Sequence, residues 1–170
     1  MLVHAHLGAI SPGWGVGEIR LGMVCDEVRR IAGEPVEEIE QDEDACRRLS
    51  YPGEAHLFFH PEENGRLTLI LFEDPDALRG VGIDGAPIEE RAVLAWMGDA
   101  RCKVEETDEG FDEGERQFER WHDYREHGFC FWSDESGDLT ACGVFVVIDA
   151  NDEYCWPPPG SPAPAWSAAG

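Results

Sequence analysis

Two short stretches of the chain have the apolar spacing of amphipathic helices. Val24, Val28 and Ile31 recur at intervals of four and three residues, which places them on one side of a helix. A second set shows similar spacing: Ile88, Ala92, Ala95 and Trp96. Gly33 and Gly98 follow the two stretches, where glycine commonly ends a helix in the left-handed conformation. We therefore predict one short helix in each half of the chain.

After each helix, apolar and polar residues alternate in the manner of half-buried strands. Asn64-Gly65 favours a tight hairpin turn, and Ser136-Gly137 is its counterpart in the second half. Three strands are predicted in each half: residues 45–51, 55–60 and 66–73, then residues 117–124, 128–133 and 138–148.

The two halves also resemble each other in sequence. Four identical pairs align without a gap at an offset of 72 residues: Phe59 with Phe131, Gly65 with Gly137, Leu67 with Leu139, and Thr68 with Thr140. We interpret this as two copies of one unit, at residues 18–84 and 85–155. An N-terminal segment, 1–17, precedes them, and a Pro-rich tail, 156–170, is expected to be disordered. The predicted fold class is α+β, with two tandem helix-plus-antiparallel-sheet repeats. They would form one continuous or saddle-like sheet with the helices on one face.

Alternation divides the second strand of each half into two faces. Ala55, Leu57 and Phe59 share the face that we expect to pack beneath the helices. The opposite face carries five other residues: His56, Phe58, His60, Cys130 and Trp132. Large aromatic side chains on that face leave two alternatives open, namely further core or a contact surface.

The chain is strongly acidic, because 36 Asp and Glu against 13 Lys and Arg give a net charge of −23. Such a surface repels phosphate, so nucleic acid and anionic membranes are not expected as partners. The acids concentrate between each helix and the predicted strand that follows it, in two acidic loops. They are Glu37, Glu38, Glu40, Asp42, Glu43 and Asp44 in the first loop, and Glu105, Glu106, Asp108, Glu109, Asp112 and Glu113 in the second. These loops would speed association with a basic protein, or else serve solubility alone.

The sequence carries no motif of a catalytic, cofactor or metal site. The glycines within 13–17 lead into a predicted strand rather than a helix, unlike those of a phosphate-binding loop. The six cysteines form no C-x-x-C pair and the carboxylates have no EF-hand spacing, so we assign no catalytic residue, metal or cofactor. No apolar run is long enough to cross a bilayer and the first residues lack the features of a secretory signal, so we expect a cytoplasmic protein.

Residues 16–35 resemble the opening of a known family. The stretch reads Val16-Gly17-Glu18-Ile19-Arg20-Leu21-Gly22-Met23, followed by Asp26-Glu27-Val28 and by Ile31-Ala32-Gly33-Glu34-Pro35. A strand, a Leu-Gly-Met segment and a short helix ending in Gly are similar to the opening of proteins like β-lactamase inhibitory protein. The same opening is similar to that of the small lipoprotein of the outer-membrane barrel-assembly machinery. The first resemblance implies two tandem units, each with a small helical layer against an antiparallel sheet, in a protein-binding scaffold rather than an enzyme.

Acidic, repeat-built bacterial proteins of this size also resemble immunity proteins, which neutralise a toxin made by the same or a neighbouring cell. We therefore predict a non-enzymatic inhibitor of a basic toxin domain, a nuclease or deaminase, whose nucleic-acid groove it occupies with carboxylates. The acidic loops would steer the partner, and Phe58, His60, Trp121 and Trp132 would be the anchors, because aromatic residues carry much of the energy of interfaces. Two alternatives stay open: a housekeeping or structural domain that is acidic for solubility, and an enzyme with a site between the repeats.

Overall fold

The computed structural model describes residues 9–40, 46–81, 83, 87–98, 103–111, 115–164 and 166, with the backbone alone at 80, 106–111 and 115–118. The described residues form two α-helices, α1 (Cys25–Ala32) and α2 (Glu90–Met97). Their strands are β1 (Ile10–Ser11), β2 (Gly15–Val16), β3 (Ile19–Arg20), β4 (Glu37–Ile39), β5 (Arg47–Tyr51), β6 (Ala55–His60), β7 (Arg66–Phe72), β8 (Lys103–Phe111), β9 (Glu115–Tyr124), β10 (Phe129–Ser133), β11 (Leu139–Phe145), β12 (Val147–Ile148) and β13 (Tyr154–Cys155). Short 3-10 helices lie at Pro61–Glu63, Pro75–Val81 and Arg125–His127.

Eight of these strands form one antiparallel sheet, in the order β4-β5-β6-β7-β11-β10-β9-β8. The two strands that meet in the middle are β7 and β11, where Phe72 pairs with Cys142 and Ile70 with Val144. Strands β4 and β8 are therefore the two edges. The strands on either side of the boundary predicted after residue 84 belong to one sheet, because β7 pairs with β11.

The predicted α+β class is wrong. The fold is mostly β, with 42% strand and 22% helix, and its eight antiparallel strands form one large sheet rather than two helix-plus-sheet repeats. The prediction treated 37–39 and 103–111 as acidic loops, whereas both are strands. An edge strand needs a partner on one side only and keeps charged side chains in water, so its sequence lacks the apolar alternation of inner strands.

Both helices are two turns long and are joined to the sheet by hydrogen bonds as well as by apolar contacts. In α1 the Glu27 carboxylate accepts a hydrogen bond from the Val24 backbone N–H at 3.0 Å, which satisfies one of the free N–H groups at the helix start. Gly33 ends the helix where the spacing predicts, but at φ 83° and ψ −167° rather than in the predicted left-handed helical conformation. Its carbonyl accepts a hydrogen bond from the Tyr51 hydroxyl at 3.1 Å. Gly98 ends α2 at φ 62°.

The core lies between one face of the large sheet and the elements that cover it. Val28 of α1 and Val93 and Met97 of α2 are fully buried there. The small sheet β1-β2-β3 adds further buried side chains, among them Ile10, Val16 and Ile19. We call this covered side of the large sheet the helix-side face. Its burial supplies most of the stability that such a fold has.

The segment that follows β13 lies against the covered side of the molecule as far as it is described. Arg20 donates to the Ser161 carbonyl at 3.3 Å, and the Trp166 indole N–H donates to the Trp96 carbonyl of α2 at 3.1 Å. The rings of Trp96 and Trp166 are 6.2 Å apart. These contacts belong to the segment that the sequence predicts to be disordered, 156–170. In the described part of the chain, no helix is both long and apolar enough to cross a membrane.

Candidate functional site

The candidate site is the side of the large sheet that faces away from both helices. In β6 the buried residues Ala55, Leu57 and Phe59 alternate with half-buried residues on the other side. Directly paired residues of neighbouring strands share a face, so the register extends this division across the sheet. We call the second side the open face. Its apolar and histidine residues are Ile39 of β4, His56, Phe58 and His60 of β6, Leu69 and Leu71 of β7, Ala141 and Phe145 of β11, Cys130 and Trp132 of β10 and Trp121 of β9.

Small residues allow close side-chain packing in the middle of the open face. A Cβ atom at Gly143 would lie 3.1 Å from Cys130 Sγ and 3.5 Å from Leu69 Cδ1, so glycine lets these two side chains pack together over β11. Burial raises the pKa of the Cys130 thiol to about 12. The thiol therefore stays protonated at neutral pH and acts as a small apolar group.

All four predicted anchor residues lie on the open face: Phe58, His60, Trp121 and Trp132. All four are half-buried. Trp121 and Trp132 are a directly opposed cross-strand pair with stacked rings, whose centroids are 6.3 Å apart and whose planes differ by 10°. Their binding role stays a prediction, but the structure does bring them together on one surface.

The predicted acidic residues are divided between the two edges of the sheet. Glu37 of β4 pairs with Ser50, and Glu105 of β8 pairs with Trp121, so both carboxylates belong to the open face at opposite edges. Glu38 lies on the helix-side face, where it forms ion pairs with Arg29 and Arg47. With eight strands about 4.8 Å apart, the two edges are roughly 33 Å apart along the sheet. Glu37 and Glu105 thus flank the apolar part of the open face from opposite edges and do not meet in a single patch.

The other predicted acidic residues are described only in part. Glu40 follows β4 and pairs with Arg47. Glu106, Asp108 and Glu109 belong to β8, where the backbone alone is described. The remaining five lie outside the described residues: Asp42, Glu43, Asp44, Asp112 and Glu113.

A polar group adjoins the apolar part of the open face. Ser50 Oγ and His56 Nδ1 form a hydrogen bond of 2.9 Å across β5 and β6. His56 Nε2 lies 3.6 Å from Glu73 Oε2, just beyond the end of β7. The Glu73 side chain is 57% exposed, so it is accessible to a partner.

Beside this group the open face has a depression of about 330 Å³. Four neighbouring strands or their ends contribute its lining residues, which are Leu71, Glu73, Glu119, Trp132, Thr140 and Ala141. Glu73 and Glu119 were not predicted as site residues. Glu73 is distant in sequence from both acidic loops, and Glu119 follows Glu113 of the second loop by six residues. The pairing of β7, β11, β10 and β9 is what brings them to one place.

A second Ser–His–Glu group lies on the helix-side face. Ser133 Oγ donates to Glu90 Oε2 at 2.7 Å, and His122 Nε2 lies 3.3 Å from the same oxygen. Ser133 is fully buried and His122 stacks on Phe131 with ring centroids 4.2 Å apart. Burial lowers the pKa of His122, against the opposing effect of Glu90. Because Ser133 is fully buried, we interpret this group as the attachment of the start of α2 to the sheet. No motif in the sequence signals it.

A larger depression, of about 460 Å³, lies at the start of α1 and is lined by Cys25, Arg47 and Phe59 among others. Burial raises the pKa of the Cys25 thiol, with Arg47 acting in the opposite direction. Cys25 is thus mainly a thiol rather than a nucleophilic thiolate at neutral pH. Within the described ranges, no three His, Cys, Asp or Glu side chains are grouped so that they could hold a metal ion.

Comparison with known proteins adds no assignment. No family model, no curated protein and no solved structure matches the chain.

Proposed function

We propose that the protein binds a basic protein domain with the open face of its sheet and thereby inhibits that domain, as an immunity protein inhibits a toxin. The observation that carries the proposal is the composition of the open face. Aromatic and aliphatic side chains occupy its centre, and acidic residues stand at both edges. In this proposal the interaction takes place in the cytoplasm.

The apolar centre supports a protein partner rather than a small ligand. Phe58, Leu69, Leu71, Phe145 and the Trp121–Trp132 pair are half-buried on the open face, while the core of the fold lies on the other side of the sheet. Apolar patches that span several strands are typical of protein contact surfaces. Aromatic side chains in such a patch contribute disproportionately to affinity.

The charge supports a basic partner. A net charge of −23 makes a second copy of this chain an unfavourable occupant, since like charges would face each other across the interface. The open-face carboxylates Glu37 and Glu105 stand at opposite edges of the sheet, and each forms an ion pair within the chain, Glu37 with Arg48 and Glu105 with Lys103. The attraction of a basic partner in this proposal therefore rests on the net charge of −23 rather than on these two carboxylates alone. Nuclease and deaminase domains carry such charge in their nucleic-acid grooves, and covering the groove would block the substrate.

The test uses the purified product of the adjacent gene as the candidate partner. Phe58→Ala and Trp121→Ala each weaken binding by about tenfold or more, which corresponds to about 1.4 kcal/mol. Ile31→Ala is the control and leaves the affinity unchanged, because it removes an exposed apolar side chain of α1, on the opposite side of the molecule from the open face. Raising the salt concentration from about 0.05 to about 0.5 M weakens binding, because it screens the acidic edges. The wild-type protein inhibits the partner's activity and the two open-face variants do so less.

Circular dichroism and thermal unfolding of each variant separate lost binding from lost folding. Equal affinities for the wild type and Phe58→Ala, in variants that remain folded, would overturn the proposed interface. Binding that is indifferent to salt would overturn the steering role of the acids.

A further inference from the structure

The depression on the open face has a definite origin in the strand register. Trp132 pairs with Ala141 and Ser133 pairs with Leu139, so Thr140 is an extra residue in β11 and forms a β-bulge. A bulge bends its strand and redirects the side chain of the extra residue. Thr140 lines the depression, and its buried hydroxyl oxygen has no hydrogen-bond partner among the described residues.

An aromatic ring and two carboxylates share this depression. Trp132 is held in place by its stacked neighbour Trp121. Glu73 Oε2, on the β7 side, lies 3.6 Å from His56 Nε2, and Glu119, on β9, stands two residues before Trp121. Leu71 and Ala141 supply the apolar part of the lining.

These groups match the chemistry of an arginine side chain. A guanidinium is planar and stacks on an indole ring, and its five N–H groups can donate to carboxylate and hydroxyl oxygens at the same time. The arginine methylenes suit an apolar wall. An ammonium is a compact and more strongly hydrated charge, so lysine gains less from the ring and from two separated carboxylates.

We propose that this depression, which we call the Glu73–Glu119 pocket, receives an arginine side chain of the partner protein. The proposal deepens the proposed function, on which it rests for the identity of the partner as a basic protein. The pocket would hold one arginine side chain of the partner in a defined position. The acidic edges would attract the basic partner at longer range, without selecting a particular side chain.

The pocket can be tested without any partner. N-acetyl-arginine amide is titrated into the wild-type protein, with the Trp132 indole and Ala141 methyl signals followed by NMR; Trp132→Phe assigns the indole signal. Saturable shifts with a Kd on the order of millimolar are expected, because one side chain supplies only a small part of an interface. N-acetyl-citrulline amide, which has nearly the same shape without the charge, binds about tenfold more weakly or not at all.

Two variants test the carboxylates. The double variant Glu73→Gln with Glu119→Gln weakens arginine amide binding by about tenfold or more, while Glu18→Gln, an exposed Glu between β2 and β3, leaves it unchanged. The signals of core residues far from the pocket report that each variant is folded.

Three results would overturn the arginine pocket: equal shifts with the citrulline amide, equal binding of N-acetyl-lysine amide, or undiminished binding by the folded double variant. These failures are distinct from failure of the proposed function. A protein that ignores the arginine amide but loses its partner on Phe58→Ala keeps the open face as the interface and lacks only this pocket.

Discussion

Phe131 and Trp132 are adjacent in β10, yet they belong to different parts of the molecule. Phe131 is fully buried on the helix-side face, where His122 stacks on it. Trp132 is half-buried on the open face, stacks on Trp121 and lines the Glu73–Glu119 pocket. Both are large aromatic residues within one strand, so residue type does not distinguish core from contact surface. What distinguishes them is whether the helices cover that side of the sheet.

The two Ser–His–Glu groups show the same difference in polar residues. On the helix-side face, Glu90 accepts a hydrogen bond from buried Ser133 beside His122, and its side chain is 21% exposed. On the open face, the Glu73 side chain is 57% exposed, and its Oε2 atom lies 3.6 Å from Nε2 of His56. The first group joins a helix to the sheet, while the second leaves a carboxylate available to a partner. Burial and hydrogen bonding, rather than the set of residue types, assign these roles.

The largest expected contrast comes from truncating the two neighbours in β10. Phe131→Ala lowers the free energy of unfolding by about 3–5 kcal/mol, because it leaves a cavity in the core. Trp132→Ala lowers it by about 1 kcal/mol, since the open face is already in contact with water. Urea unfolding of both variants measures the difference. Equal losses would show that the two faces are equally covered.

A smaller difference in the free energy of unfolding is expected between substitutions of Glu90 and of Glu73. Glu90→Gln weakens a charged acceptor of a buried hydroxyl and lowers the free energy of unfolding by about 1–3 kcal/mol. Glu73→Gln changes it by less than about 0.5 kcal/mol, because an exposed charge contributes little. The same unfolding measurement serves. A Glu90→Gln variant as stable as the wild type would contradict the role of that group in holding α2.

The buried histidine His122 makes the stability of the folded protein depend on pH. The pKa of His122 is lowered from 6.5 by burial, so between the folded and unfolded pKa values the unfolded chain binds more protons. Stability therefore falls as the pH drops below about 6.5, by at most about 1.4 kcal/mol per pH unit for this proton. His122→Gln removes this contribution. Unfolding curves between pH 7.5 and 5.5 should be less pH-dependent in the variant, and identical slopes would refute the assignment.

The smallest expected difference concerns the two bulge threonines. Thr68, unpaired in the register of β6 with β7, donates to the Phe58 carbonyl at 3.3 Å, whereas the Thr140 hydroxyl has no partner among the described residues. Thr68→Val therefore lowers stability by about 1 kcal/mol and Thr140→Val by less. Differential thermal unfolding resolves the two. A larger loss at Thr140 would mean that its hydroxyl already stabilises the folded protein.

Much of the inner sheet could be predicted from sequence because inner strands have strong local patterns. The alternation of 55–60 placed Phe58 and His60 opposite Leu57 and Phe59, as the structure does. The edge strands could not be predicted in this way. Residues 37–39 and 103–111 carry charge rather than alternating apolar residues, and only their partners β5 and β9 make them strands.

The candidate site shows the same limit. Three anchors on the open face follow from alternation or strand position: Phe58, His60 and Trp132. Glu73 and Glu119 have no such signal, since one follows a strand and the other belongs to an acidic stretch with many carboxylates. Leu69 and Leu71 belong to the stretch 66–72, which has apolar residues on both faces of the strand. The sequence alone therefore predicts that they are core residues.

The sequence by itself determined the acidity, the two short helices and the faces of the inner strands, because these depend on composition and on neighbours along the chain. Only the tertiary structure decided which face the helices cover, which acidic segments become edges, and which carboxylates stand beside Trp132. The physical reason is that pairing between distant strands sets these positions. Glu73 and Glu119 are 46 residues apart in the chain and share one depression only because β7, β11, β10 and β9 are neighbours in the sheet.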